Sequence, residues 1–265
     1  MGAYGKPAVL IGLFVVLAVG AVILGPIPQS QAYHNFADAR AFWGIDNFGD
    51  VLSNIPFGVV GAWGLWTVFR LRKLGAFARK RDDWPYIVLF GSIAVVTVGS
   101  AYYHLAPDNA RLFWDRLPIT VGFMALFAAF VADRAAPPRI GPWLAPLFIA
   151  AGVFALVYWV WTEAQGRGDL APYALVQLYP ILALPLLCWL YPEARYTGGG
   201  HLFWIIVWYA LAKVLETYDR EVFALLGNTI SGHSLKHLAA AVAAFVVVAM
   251  LRRNGYDGAA QPRSG

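Results

Sequence analysis

Apolar runs of about 20 residues recur along this chain, and each is long enough, as helix, to cross roughly 30 Å of hydrocarbon. They fall near 7–25, 50–69, 85–105, 112–132, 142–162, 172–191, 201–218 and 233–251. A backbone with no water to bond must satisfy itself inside each segment, so the runs predict helices rather than open sheet. Composition agrees: 60% of residues are hydrophobic and only 13% charged, about half the charge of a soluble domain. The expected fold class is therefore all-α, a polytopic membrane helical bundle of eight spans.

The first run follows Lys6 and ends at Pro26 and Pro28. It reads either as a retained helix or as a signal peptide with a small-residue cleavage site at Ser30-Gln31-Ala32. The chain divides into an N-terminal helix and linker (1–32), a seven-helix core (33–251) and a Gly-, Pro- and Ser-containing tail (252–265) expected to be disordered and cytoplasmic. Cys188 is the single cysteine, which excludes a disulfide framework and a cysteine metal site. A net charge of +5 would suggest nucleic acid in a soluble chain, but here the basic residues lie in loops between spans.

Those loops predict orientation. With Lys6 inside, the loops on its side hold Arg70, Arg72, Lys73, Arg79, Lys80, Arg81, Arg134, Arg139 and Arg195, and the tail holds Arg252, Arg253 and Arg263. An excess of Lys and Arg marks the cytoplasmic side, so both termini are expected in the cytoplasm. The same parity puts Ser100, His104, Asp115, His233 and His237 together at the outer face.

These five residues are the candidate site. Ser100 and His104 are four apart, as are His233 and His237, so each pair shares a helix face. Three neutral imidazoles suffice for Zn2+ with one coordination position open to water, the pattern of a catalytic site. The ion would acidify that water and polarise a carbonyl. Asp115, costly as a lone anion near a bilayer, becomes favourable beside a cation as a partner or general base. Ser100 could hydrogen-bond the water or a developing oxyanion, or it could simply pack between helices. Elsewhere, Lys213, Glu216 and Lys236 are charges that should pair, tying the seventh span to the last. His201 falls on the opposite side of the membrane and is not expected to be a ligand.

The pattern Ser100-x-x-x-His104, an aspartate opening the next helix (Asp115) and a late His233-x-x-x-His237 resembles the alkaline ceramidases. They belong to a superfamily of seven-helix membrane hydrolases that also contains the adiponectin and progestin receptors. Asn47-Phe48-Gly49-Asp50-Val51-Leu52-Ser53-Asn54 is similar to the stretch that opens the family's first core helix. The likeness covers about 45–251 and makes the first helix an addition to a seven-helix core. It implies His104, His233 and His237 as zinc ligands and Ser100 and Asp115 as catalytic residues. The implied reaction is hydrolysis of a ceramide, or related N-acyl membrane lipid, to a long-chain base and a fatty acid. A bacterial-type member would sit in the inner membrane with its zinc near the extracytoplasmic face.

Eukaryotic members also bind Ca2+ through an acidic segment. Here Asn47 replaces the family's Glu, and His34-Asn35-Phe36-Ala37-Asp38 replaces its acidic run. Asp38, Asp46, Asn47 and Asp50 could still make an oxygen site; a solvated loop with helix-capping aspartates is the other reading. Two further classes remain open from sequence: a receptor-like or scaffold protein with structural zinc, and a transporter using intramembrane His and Asp. No inverted repeat of the transporter kind is visible.

Overall fold

The computed structural model describes residues 5–79 and 81–260. Among them the chain forms α1 (Gly5–Leu24), α2 (Phe48–Leu52), α3 (Ile55–Lys73), α4 (Trp84–Leu105), α5 (Asn109–Arg134), α6 (Gly141–Ala164), α7 (Ala171–Leu190), α8 (Gly199–Thr217), α9 (Asp219–Leu225) and α10 (Gly232–Ala260). A 3₁₀ turn, Gln31–His34, interrupts the segment between α1 and α2. No β-strand occurs among the described residues, so the chain is an all-α bundle.

Local chemistry sets the helix ends. Pro56, Pro85, Pro142 and Pro172 stand in first turns, where a missing N–H leaves no hydrogen bond unmade. Asp108 caps α5, accepting from the Arg111 amide at 2.7 Å, and the Arg111 guanidinium folds back on the same carboxylate. α2 and α3 meet at Ser53 and Asn54, because Pro56 cannot continue the helix ladder. There the Asn54 amide donates to the Asp50 carbonyl at 2.8 Å and the Ser53 hydroxyl donates to it at 3.0 Å.

Seven segments are long and apolar enough to cross a membrane, α2 and α3 counting as one. The sequence reading counted eight. The difference is α8, whose His201, Lys213 and Glu216 dilute its apolar character. Its ends nevertheless match those of α10. The Asn254 amide donates to the Tyr196 carbonyl just ahead of α8 at 2.8 Å, and Gly232 lies against the Leu215 carbonyl near its end. α8 therefore runs beside α10 over the whole depth of that span. α10 itself continues to Ala260, nine residues past the expected boundary at 251. The segment 252–260, expected to be disordered, is thus helical, and 261–265 lie outside the described residues.

In the bundle α4 packs between α3 and α5, α5 also meets α6 and α7, and α10 meets α3 and α8. One buried apolar cluster, with Val68, Leu71, Phe90, Phe130, Leu187 and Val248, fills the half nearer the basic loops. A second, with Tyr103, Leu112, Leu156, Trp159 and Tyr173, fills the half nearer the candidate site. α1 buries no residue and leans chiefly on α7, as a helix that is apolar all round can do in lipid. The many exposed large apolar side chains, such as Val22, Ile23 and Trp189, are the expected surface of a protein solvated by hydrocarbon.

Candidate metal centre

His104 lies in the last turn of α4, and His233 and His237 in the first turns of α10. Their imidazoles converge: one ligand atom from each lies within 4.8 Å of the other two, and the rings are 1–3% exposed. His104 Nε2 and His233 Nε2 stand 3.3 Å apart. Two nitrogens bound tetrahedrally to one ion at about 2.0–2.1 Å would be separated by about this distance. Among the described residues this is the one cluster of three His, Cys, Asp or Glu side chains that could hold a metal ion.

The tautomers fit a metal. The Ser53 hydroxyl donates to the Asp50 carbonyl, so at 2.7 Å from His237 Nδ1 it must accept that nitrogen's proton. His237 Nε2 then presents a lone pair to the cluster. His233 Nε2 lies 3.1 Å from the Lys236 ammonium, a donor only, so it too carries a lone pair. The Ser53 contact, on the ring nitrogen turned away from the cluster, is the outer hydrogen bond that orients a ligating imidazole, whereas Lys236 meets His233 on the nitrogen that faces His104. His104 Nδ1 is buried without a partner. The set is therefore one imidazole oriented from outside, His237, and two, His104 and His233, whose Nε2 atoms face each other.

The start of α10 is held from three sides. Ser231 accepts from the Ser234 amide at 2.8 Å, the usual office of an N-cap serine. Asp50 is fully buried and accepts from the Ser231 and Ser234 hydroxyls at 2.9 and 2.7 Å, a carboxylate placed where the helix dipole favours it. Asp219 accepts from the His233 amide and, through its other oxygen, from the Ala37 amide, both at 2.8 Å. That contact draws in the segment before α2, and Phe36 packs over His233 and His104 with ring centres 4.3 and 4.8 Å away.

Ser100 and Asp115 come together as well, near enough for the hydroxyl to act on the carboxyl group. Both are buried, Ser100 almost completely, and Ser100 is one helical turn from His104. α4 and α5 approach closely at this level. A Cβ added at Gly99 would lie 2.3 Å from the Trp114 carbonyl, the oxygen that Pro118 leaves unpaired four residues on.

Glu216, expected to pair with Lys213 or Lys236, receives both, Lys236 at 2.9 Å and Lys213 through its other oxygen. This brings the Lys236 ammonium to the edge of the cluster. His201 lies at the far end of α8. His34 is no ligand: its nitrogens are 2.8 Å from the Tyr103 hydroxyl and 2.8 Å from the Asn109 side-chain oxygen.

Of the four residues considered for calcium, Asp38, Asp46 and Asp50 do not form a group of three that could hold an ion. Both Asp38 oxygens accept from the Arg40 guanidinium at 2.7 Å, Asp46 is exposed, and Asp50 faces α10. Asn47, held at a left-handed φ of 48°, donates from its side chain to the His104 carbonyl at 2.7 Å. Three of the four thus brace the imidazole cluster or the segment covering it.

Ser53, Phe36 and the clamping role of Asp219 were not legible in sequence. Ser53 and His237 are 184 positions apart, and no local spacing announces such a pair. Known proteins add no guide: no family model matches the chain, and neither the curated proteins nor the solved structures contain a significant match.

Proposed function

We propose that this protein is a zinc-dependent membrane hydrolase acting on the amide of an N-acyl lipid of the ceramide type. The observation that carries the reading is the juxtaposition of a buried three-histidine cluster with buried Ser100 and Asp115, Ser100 standing one helical turn from His104. His104, His233 and His237 would hold the ion, which when bound supplies Lewis acidity toward a carbonyl and acidifies water.

The chain's own residues do the rest. Asp115 accepts the proton released as water adds to the amide carbon and returns one to the leaving amine. Ser100 holds the Asp115 carboxylate in place and offers a second polar contact to the reacting group. The Lys236 ammonium, fixed by Glu216, places positive charge where negative charge develops on the carbonyl oxygen. Phe36 and the segment around it keep bulk water off the cluster. The basic loops at the opposite end support a site that faces the extracytoplasmic leaflet of the membrane, where a two-chain lipid would present its amide near headgroup level.

The test is metal content and turnover on the same purified sample, using a fluorescent N-acylsphingosine and mass-spectrometric detection of released fatty acid. Wild-type protein should carry one zinc per chain and release product, and His233→Ala should lose both while remaining membrane-inserted. Zinc without product would leave a structural-metal reading, and ion flux in liposomes without product a transporter.

A further inference from the structure

The far end of the bundle carries a second polar site. Between the α3–α4, α5–α6 and α7–α8 connections lies a cavity of about 230 Å3, whose wall includes Arg79, Arg81, Arg195, Tyr86, Asp82 and Asp133. Tyr86 and His104 are eighteen residues apart on α4, about 27 Å along the helix, so this cavity and the imidazole cluster lie at opposite membrane faces.

The two carboxylates are already engaged. Asp133 accepts from the backbone amides of Arg195, Tyr196 and Thr197 and from the Thr197 hydroxyl, at 2.8–3.2 Å. Asp82 accepts from the Tyr196 hydroxyl and the Arg79 amide, each at 3.2 Å. They shape the wall and offset part of its positive charge, leaving three guanidiniums against two carboxylates, and none of the three forms a direct ion pair among the described residues. Arg81 lies over the Trp84 ring at 4.6 Å. The Tyr86 hydroxyl is also unsatisfied; the residue is 1% exposed and the oxygen has no partner. An unpaired buried hydroxyl is destabilising, and a ligand acceptor would relieve it.

We infer that this cavity binds the phosphate of an anionic phospholipid from the leaflet bordering the basic loops. Three arginines around a buried tyrosine donor suit a tetrahedral oxyanion, which accepts several charge-assisted hydrogen bonds at once. Basic pockets between membrane helices on the cytoplasmic side take lipid headgroups in this way. The adjoining apolar helix surfaces can carry the acyl chains.

The experiment is native mass spectrometry of the full chain in detergent with equimolar phosphatidylglycerol and phosphatidylcholine. The latter would bring its trimethylammonium among the guanidiniums. Phosphatidylglycerol adducts should exceed phosphatidylcholine adducts at least tenfold in the wild type. Tyr86→Phe, which removes only the buried oxygen, should cut that preference several-fold, and Arg79→Gln with Arg195→Gln should abolish it. Equal retention of the two lipids, or a preference that survives the double substitution, overturns the inference. A melting temperature raised by inorganic phosphate alone, with no lipid preference, overturns the lipid as the source of the phosphate. None of these residues belongs to the metal centre, so hydrolysis and lipid retention are scored independently.

Discussion

Gly99 of α4 lies against the main-chain carbonyl of Trp114 in α5, so close that a Cβ would sit 2.3 Å from the oxygen. Pro118, lacking an N–H, is the reason that carbonyl has no helical partner. The next residue on each side is half of the Ser100–Asp115 pair, so one glycine and one proline set the distance between two side chains that carry the proposed chemistry. Gly99→Ala should force the helices apart. Overpacking of this kind costs about 1–3 kcal/mol. Hydrolysis should fall at least tenfold while zinc content stays at the wild-type value, since the imidazoles are not displaced. Turnover and metal stoichiometry on one preparation check this, and unchanged turnover would dismiss the role given to Gly99.

Ser53 holds His237 in the tautomer that offers Nε2 to the cluster. Substituting the outer partner of a ligating histidine commonly weakens metal binding 10–100-fold. Ser53→Ala should do so here, and Ser53→Thr, which keeps the hydroxyl, should restore most of the affinity. Competition with a chromogenic chelator reads both variants. If Ser53→Ala binds zinc as tightly as the wild type, the hydroxyl does not orient the ring.

What was legible in sequence follows from range. Helical spacing is local, so the His233–His237 and Ser100–His104 pairs, and the span pattern itself, could be read directly. The convergence of α4 and α10 could be inferred only because both motifs fall at the same membrane face. Contacts made by folding distant segments together could not be read: Ser53 on His237, Phe36 over two imidazoles, Asp219 on both the His233 and Ala37 amides. The aspartates considered for calcium were recognisable as acidic, but Asp50 is committed to Ser231 and Ser234, some 180 positions away. The continuation of α10 past 251 ran against a composition of Gly and Asn, which disfavours helix without forbidding it.

Asp38 supplies a pH dependence outside the membrane-spanning helices. Burial pushes its carboxyl up, but the hydrogen bonds and charge of Arg40 outweigh this and hold it below the ordinary carboxylate value. A group depressed in the folded state stabilises fully above its unfolded pKa, and that contribution is lost as pH falls through the lower folded value. Arg40 also donates to the Asn228 and Thr229 carbonyls at 2.8 and 2.7 Å, so the pair pins the segment over the cluster to the loop before α10. The melting temperature of Arg40→Gln should lie below wild type at neutral pH, and the gap should narrow below about pH 4. A gap that is constant with pH would mean the contact acts through packing alone.

Glu216 and Lys236 form an ion pair next to the imidazoles, with side chains only 14% and 18% exposed. Removing one member of such a pair leaves a charge in a poorly solvated place, which costs about 3–5 kcal/mol. Replacing both members with apolar groups of similar volume is often neutral. Glu216→Gln should therefore be strongly destabilising, because it strands Lys236 3.1 Å from His233 Nε2, where the ammonium then competes with any cation for the nitrogen lone pair. It should also weaken zinc binding. Glu216→Leu with Lys236→Met should recover most of the stability and the metal while leaving turnover low, because the positive charge near the carbonyl oxygen is gone. The separation of stability from turnover in the double variant decides the matter. If the double variant hydrolyses lipid as fast as wild type, Lys236 has no part in the reaction and the pair is only a brace between α8 and α10.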